Sequence, residues 1–157
     1  MNKDKLKATQ VFTPEWATNQ MLDLMDQTSF GSPETYFLEP SCGDGQMLVV
    51  MVDRIFKELL KKYEGDHARE KALSETLFKF YAIEMDADLV VKARFRLREK
   101  IVSEINVEGF DVPYFLDCMI AQLLVDSIEC RDFFEMFGDN GSTIGKKKKF
   151  IRKGKKE

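Results

Sequence analysis

Phe37-Leu38-Glu39-Pro40-Ser41-Cys42-Gly43-Asp44-Gly45 joins a β-prone run to a helical one through two glycines. Upstream, Thr35-Tyr36-Phe37-Leu38 has the aromatic and β-branched character of a short strand. Glu39-Pro40 stops it, because proline has no N–H to offer a ladder. Downstream of Gly45 the period changes. Met47, Leu48, Met51, Val52, Ile55, Phe56, Leu59 and Tyr63 fall on two adjacent helical rows, opposite Asp53, Arg54, Lys57, Glu58 and Lys61. Two glycines flanking one residue let the backbone turn tightly and approach a ligand where a side chain would clash, and the helix that follows offers unpaired N–H groups. This is the pattern of a nucleotide-binding turn. It is not the dinucleotide fingerprint, whose third glycine would fall where Leu48 stands. The same two glycines would also close an empty strand-to-helix turn.

On the N-terminal side, Thr13-Pro14-Glu15 reads as a helix start, with Thr13 as cap and Pro14 at the first helical position. Ala17, Met21, Leu24 and Met25 recur at helical spacing to about Gln27, and Ser29 to Glu34 is a turn. On the C-terminal side, the charged segment from Glu64 to Glu75 reads as a surface loop with a helical turn. Leu77-Phe78-Lys79-Phe80-Tyr81-Ala82-Ile83 is a second strand, apolar enough to be covered on both faces. Asp86 can cap a helix whose buried stripe is Leu89, Val90, Ala93, Leu97 and Ile101, with Lys92, Arg96 and Lys100 away from it. An irregular stretch, Asn106 to Val112, precedes a helix from Pro113 with Phe115, Leu116, Met119, Ile120, Leu123 and Leu124 at core spacing. Ser127 to Arg131 is a weak third strand, and Asp132 opens a helical turn through Phe137. Alternation of strand and helix implies an α/β fold with a parallel sheet.

A chain of 157 residues with 44% apolar side chains supports one domain with a real core and argues against wholesale disorder. His67 is the only histidine, which excludes a two-histidine metal site within this chain. Cys42, Cys118 and Cys130 are odd in number and widely spaced, without the pattern of a disulfide framework or a zinc site. No run approaches the roughly 20 apolar residues of a membrane span, so the expected location is cytoplasmic, with no membrane partner. Residues 1 to 145 carry 16 basic and 26 acidic side chains, whereas residues 146 to 157 carry eight basic and one acidic. The expected organisation is therefore a folded domain over residues 1–138 and a basic, disordered tail over 139–157, whose lysines can attract phosphate backbones.

Two further strand ends carry candidate chemistry. Ile83-Glu84-Met85-Asp86 puts an acid where a doubly wound sheet borders its ligand crevice, able to accept hydrogen bonds from both hydroxyls of a ribose. Met85 would then lie against an adenine face. Arg131-Asp132-Phe133-Phe134 repeats the arrangement, with Asp132 placed to accept from an adenine amino group and Phe133 to stack. Each acid would serve equally as a helix cap.

Taken in order, these pieces resemble the class I methyltransferase family, and within it the adenine-N6 DNA branch of restriction-modification and phage enzymes. Phe12, Thr13 and Pro14 resemble the branch's N-terminal cofactor motif. Glu39-Pro40-Ser41-Cys42-Gly43-Asp44-Gly45 resembles its Asp/Asn/Glu-Pro-x-Cys-Gly-x-Gly loop, Glu84 and Met85 its ribose-binding motif, and Asp132 and Phe133 its adenine-contact motif. The resemblance covers Gln10 to about Phe137. It implies a Rossmann-like methyltransferase fold with helices on both faces of a parallel sheet, and S-adenosyl-L-methionine as cofactor.

The family's next strand ends in Asp/Asn-Pro-Pro-Tyr/Phe, which withdraws the protons of the adenine amino group and stacks the flipped base. Pro14, Pro33, Pro40 and Pro113 are the only prolines here, and no two are adjacent. The expectation is thus a fold cut short after its third strand, with cofactor residues and no catalytic residue. The family's strand order would leave the first strand as an open apolar edge, so a homodimer or a complementing methyltransferase polypeptide is the expected partner, with DNA reached through it or through the tail. The run Lys146-Lys147-Lys148-Lys149 is also a plausible point for a reading-frame slip, since lysine codons are adenine-rich. The alternative is a non-catalytic, methyltransferase-like decoy or regulator that binds nucleic acid or a protein through its basic tail.

Overall fold

The computed structural model describes residues 13–65, 67–105 and 113–137. Helix α1 (Glu15–Asp23) and a 3₁₀ turn (Gln27–Phe30) lead to strand β1 (Phe37–Glu39), followed by α2 (Gln46–Leu60) and α3 (Ala68–Leu77). Strand β2 (Phe80–Glu84) then leads to α4 (Ala87–Ile105) and α5 (Tyr114–Ser127), and β3 (Ile128–Cys130) to the short α6 (Phe133–Phe137). The strands form one parallel sheet in the order β1-β2-β3. Parallel neighbours need long crossovers, and the helices between them are those crossovers. The result is an α/β arrangement compatible with a Rossmann-like fold.

Register sorts the strand residues by face. Phe37 lies beside Phe80, and Glu39, Ala82 and Ile128 lie in one row. Phe37, Phe80, Ala82 and Ile128 are buried in the main core with Leu48, Ile55 and Leu59 of α2, Leu97 and Ile101 of α4, and Ile120 and Leu124 of α5. Phe30 stacks on Phe37 with ring centroids 5.2 Å apart, so the 3₁₀ turn closes one end of that core. Leu38, Tyr81, Ile83 and Glu129 belong to the opposite face. There α6 reaches the sheet through Met136, whose sulfur is 4.0 Å from the Tyr81 hydroxyl. Ile83 is fully buried, while Leu38 is 49% exposed.

The two long helices form as their patterns dictate. In α2 the buried positions are Leu48, Met51, Val52, Ile55, Phe56 and Leu59, and in α4 they are the expected Leu89, Val90, Ala93, Leu97 and Ile101. Asp86 caps α4, accepting from the Asp88 N–H at 2.9 Å.

Elsewhere the structure corrects the sequence reading. Helix α1 begins at Glu15 with Pro14 in the cap position and no side-chain cap, so Thr13 does not cap it. Its buried residues are Thr18 and Leu22, whereas Met21, Leu24 and Met25 are exposed. The buried face of the helix runs through Thr18 and Leu22, which turns Met21 outward, and the helix stops at Asp23 before Leu24 and Met25. Residues 68–77 are a helix rather than a loop: Ala72, Leu73, Thr76 and Leu77 make a narrow apolar stripe inside a charged segment and pack on α2 and α5. That helix consumes Leu77, leaves Phe78 exposed, and moves the start of β2 to Phe80. In α5 only Ile120 and Leu124 are buried, and Phe115 and Met119 are exposed. Phe12, the stretch Asn106 to Val112, and the tail lie outside the described residues.

Candidate functional site

The bend between β1 and α2 is held by backbone bonds that its glycines make possible. Cys42 N–H donates to Ile83 O at 2.9 Å, extending the β1–β2 pairing past the end of the strand, and Gly45 N–H donates to Cys42 O at 3.0 Å. Gly43 (φ +56°) and Gly45 (φ +85°) are both left-handed, a region that L side chains rarely tolerate. Their surroundings differ. A Cβ on Gly45 would stand 2.8 Å from Ala93 Cα, so this glycine seats α4 against the turn. A Cβ on Gly43 would meet nothing within 4 Å, so the backbone there is open to approach.

Glu84 links the turn to the end of β2. Its Oε2 accepts from Gly43 N–H at 3.0 Å and its Oε1 from Asp86 N–H at 2.9 Å. The side chain is held by two backbone donors, and each oxygen keeps a lone pair for a further donor. The Glu84 carbonyl accepts from Arg131 N–H at 3.0 Å, which brings the end of β3 alongside. Glu39 turns back on its own loop, Oε1 accepting from Ser41 N–H at 3.1 Å. Pro40 and Ser41 are exposed, and Cys42 is buried. Burial first, and then the Glu84 and Glu39 carboxylates, push the Cys42 thiol up to about 12, so it is an inert apolar filler at neutral pH.

Asp44 is paired with Arg96 of α4 at 2.8 Å. Met85 is 47% exposed beside the crevice, with its carbonyl 3.7 Å from Cys130 Sγ. Asp132 caps α6, accepting from Phe134 N–H at 2.8 Å, and Phe133 packs against Phe137 (4.8 Å) and Phe134 (5.7 Å). Both sit after β3, at the same end of the sheet as Glu84. The described contacts of these two side chains stay within α6.

Thr13 and Pro14 stand at the start of α1, where Pro14 O accepts from Thr18 N–H at 3.0 Å. A cavity of about 340 Å³ opens between α1, α2 and α4, lined by residues including Glu15, Asn19, Gln46, Asp53 and Lys100. It lies beside the glycine turn rather than over it, starting at Gln46, the residue after Gly45. Among the described residues no group of three or more His, Cys, Asp or Glu is arranged to hold a metal, and no helix is long and apolar enough to cross a membrane.

The structure therefore gathers Glu39 to Gly45, Glu84 and Met85 at one end of the sheet, with Asp132 and Phe133 one strand further along. Sequence reasoning missed Arg96 and Gln46. Arg96 lies 52 positions from Asp44, and nothing local marks it. No family model matches the chain, and neither a curated protein nor a solved structure matches it.

Proposed function

We propose that this chain is the S-adenosyl-L-methionine-binding part of an adenine-N6 DNA methyltransferase, and that methyl transfer to DNA requires a partner or a second fragment. The observation that carries the reading is the bond from Gly43 N–H to Glu84, made across an open, left-handed turn at the carboxyl end of a parallel sheet. A nucleoside lying over this turn would bring its ribose hydroxyls toward that carboxylate, beside backbone that a ligand can approach closely.

Charge narrows the ligand class. Glu39, Glu84, Asp86 and Asp132 lie at this end of the sheet, and of its cations Arg96 is engaged by Asp44 and Arg131 by Glu129. A pyrophosphate would meet repulsion there, whereas a nucleoside bearing a sulfonium and an ammonium would be attracted. In this proposal Glu84 holds the ribose, Met85 lies on one adenine face, Asp132 and Phe133 approach the base edge, and Phe12, Thr13 and Pro14 close over the methionine end. S-adenosyl-L-methionine would supply the methyl group, and these residues would bind and orient it.

Among the described residues β1 has a strand neighbour on one side only, and Leu38 beside its free edge is half exposed. Such an edge favours pairing with further strands, from a second copy or a complementing polypeptide. The decisive experiment is calorimetric titration with S-adenosyl-L-methionine, S-adenosyl-L-homocysteine and NAD, followed by methyl transfer to DNA with and without co-expressed partner. Binding of the first two and not of NAD is expected; no heat with either sulfur ligand removes the proposal. Cofactor binding without methyl transfer under any pairing would favour the regulatory alternative.

A further inference from the structure

Arg96 belongs to none of the motifs, yet it is the side chain through which α4 grips the turn. Its Nη1 lies 2.8 Å from Asp44 Oδ2 and 3.3 Å from Gln46 Oε1. The other Asp44 oxygen accepts a long bond, 3.4 Å, from Gln46 N–H, the first amide of α2. Three residues earlier on α4, Ala93 lies directly under Gly45. One turn later, Lys100 pairs with Asp53 of α2 at 2.7 Å. The seam between α2 and α4 is thus fixed by close packing of Gly45 on Ala93 and by two ion pairs made from the next two turns of α4.

The Asp44 and Arg96 side chains are 17% and 40% exposed, and a pair so close to water adds little to folding stability. Its larger effect is local: it aims the Asp44 carboxylate at the start of α2 and cancels that carboxylate's charge beside the turn. Charges at such separations in a partly wet crevice still act on one another.

We infer that Arg96 is a positioning and specificity-determining residue for the turn. By neutralising and orienting Asp44, it leaves Glu84 to set how strongly the site prefers a cationic ligand over its neutral counterpart. The inference rests on the sulfonium-nucleotide reading of the turn.

The test compares wild type with Arg96→Met, Arg96→Lys and Arg96→Met/Asp44→Asn. Titrations with S-adenosyl-L-methionine and with neutral-sulfur S-adenosyl-L-homocysteine give a ratio of affinities. In Arg96→Met at low salt the ratio should shift about threefold or more toward the sulfonium, because an uncompensated carboxylate now faces it. The shift should shrink in high salt, and it should be absent in Arg96→Lys and in the double variant. In the ligand-free protein, amide exchange at Gln46 should quicken in Arg96→Met and be restored in Arg96→Lys. An unchanged ratio, with both affinities falling together, overturns the inference, as does unchanged exchange at Gln46. A wild-type protein that takes up neither ligand defeats the sulfonium reading instead, and the Gln46 exchange then decides Arg96 by itself.

Discussion

Gly45 lies so close to Ala93 that a methyl group on it would stand 2.8 Å from the Ala93 α-carbon, whereas the same group on Gly43 would meet only open space. Both residues have positive φ, so both substitutions carry the conformational cost of a left-handed alanine. Only one also drives α4 away from the turn. Gly43→Ala should cost about 1 to 2 kcal/mol in urea unfolding, and Gly45→Ala on the order of 3 to 4 kcal/mol. Equal losses would mean that the α2–α4 seam gives way easily and that Gly45 is not its spacer.

Glu84 offers a test that separates holding the turn from holding a ligand. Glu84→Ala removes the acceptor from the Gly43 and Asp86 amides and should weaken S-adenosyl-L-methionine binding by about 1 to 3 kcal/mol. Glu84→Gln keeps one acceptor oxygen and the shape of the side chain, so it should retain more stability than Glu84→Ala while still losing affinity. Calorimetry paired with urea denaturation reads both quantities. Unchanged affinity in Glu84→Ala takes Glu84 out of the site.

How far the sequence spoke for itself follows from where each signal resides. Helices α2 and α4 are long and one-sided, so their buried rows could be counted directly, and the glycine turn announces itself because backbone geometry restricts which residues can occupy it. Helix α3 was hidden by its charges: Ala72, Leu73, Thr76 and Leu77 are a stripe only one residue pair wide. In α1 and α5 apolar residues stand on more than one face, and periodicity cannot say which face meets the core. That choice is tertiary, and it exposes Leu24 and Phe115 while burying Thr18. Arg96 was unreadable for the same reason, since a charge on a helix looks solvated until the fold brings Asp44 to it.

Lys79 illustrates a buried charge that the strand pattern cannot explain. It is 3% exposed, and its ammonium donates to Ser32 O (2.7 Å), Pro33 O (2.8 Å) and Thr35 O (3.3 Å), with the Tyr36 ring 5.1 Å away. Three carbonyls of the segment leading into β1 thus depend on one donor. Lys79→Met keeps the aliphatic volume and strands those carbonyls, and should cost roughly 2 to 3 kcal/mol. It should also quicken amide exchange at Phe37, whose N–H donates to Lys79 O at 2.8 Å. A variant as stable as wild type would show that water satisfies the carbonyls equally well.

Cys42 supplies a pH dependence whose sign follows from its burial. Its thiol is raised from an ordinary 9.0 to about 12, mainly by desolvation and then by Glu84 and Glu39. Between those two values the unfolded chain releases the proton and the folded chain keeps it, so folding binds more protons and stability falls as pH rises. The contribution is complete below pH 9.0 and is lost progressively toward about 12. Because lysines and tyrosines titrate in the same range, the measurement is the difference between wild type and Cys42→Ala: the wild-type stability curve should drop more steeply across that window. Thiol labelling at pH 8 gives a second readout, with the exposed Cys118 and Cys130 reacting promptly and Cys42 only on unfolding. Parallel stability curves together with prompt labelling of all three cysteines would mean that the Cys42 side chain reaches water, and that the floor of the turn is looser than its hydrogen bonds to Ile83 and Gly45 imply.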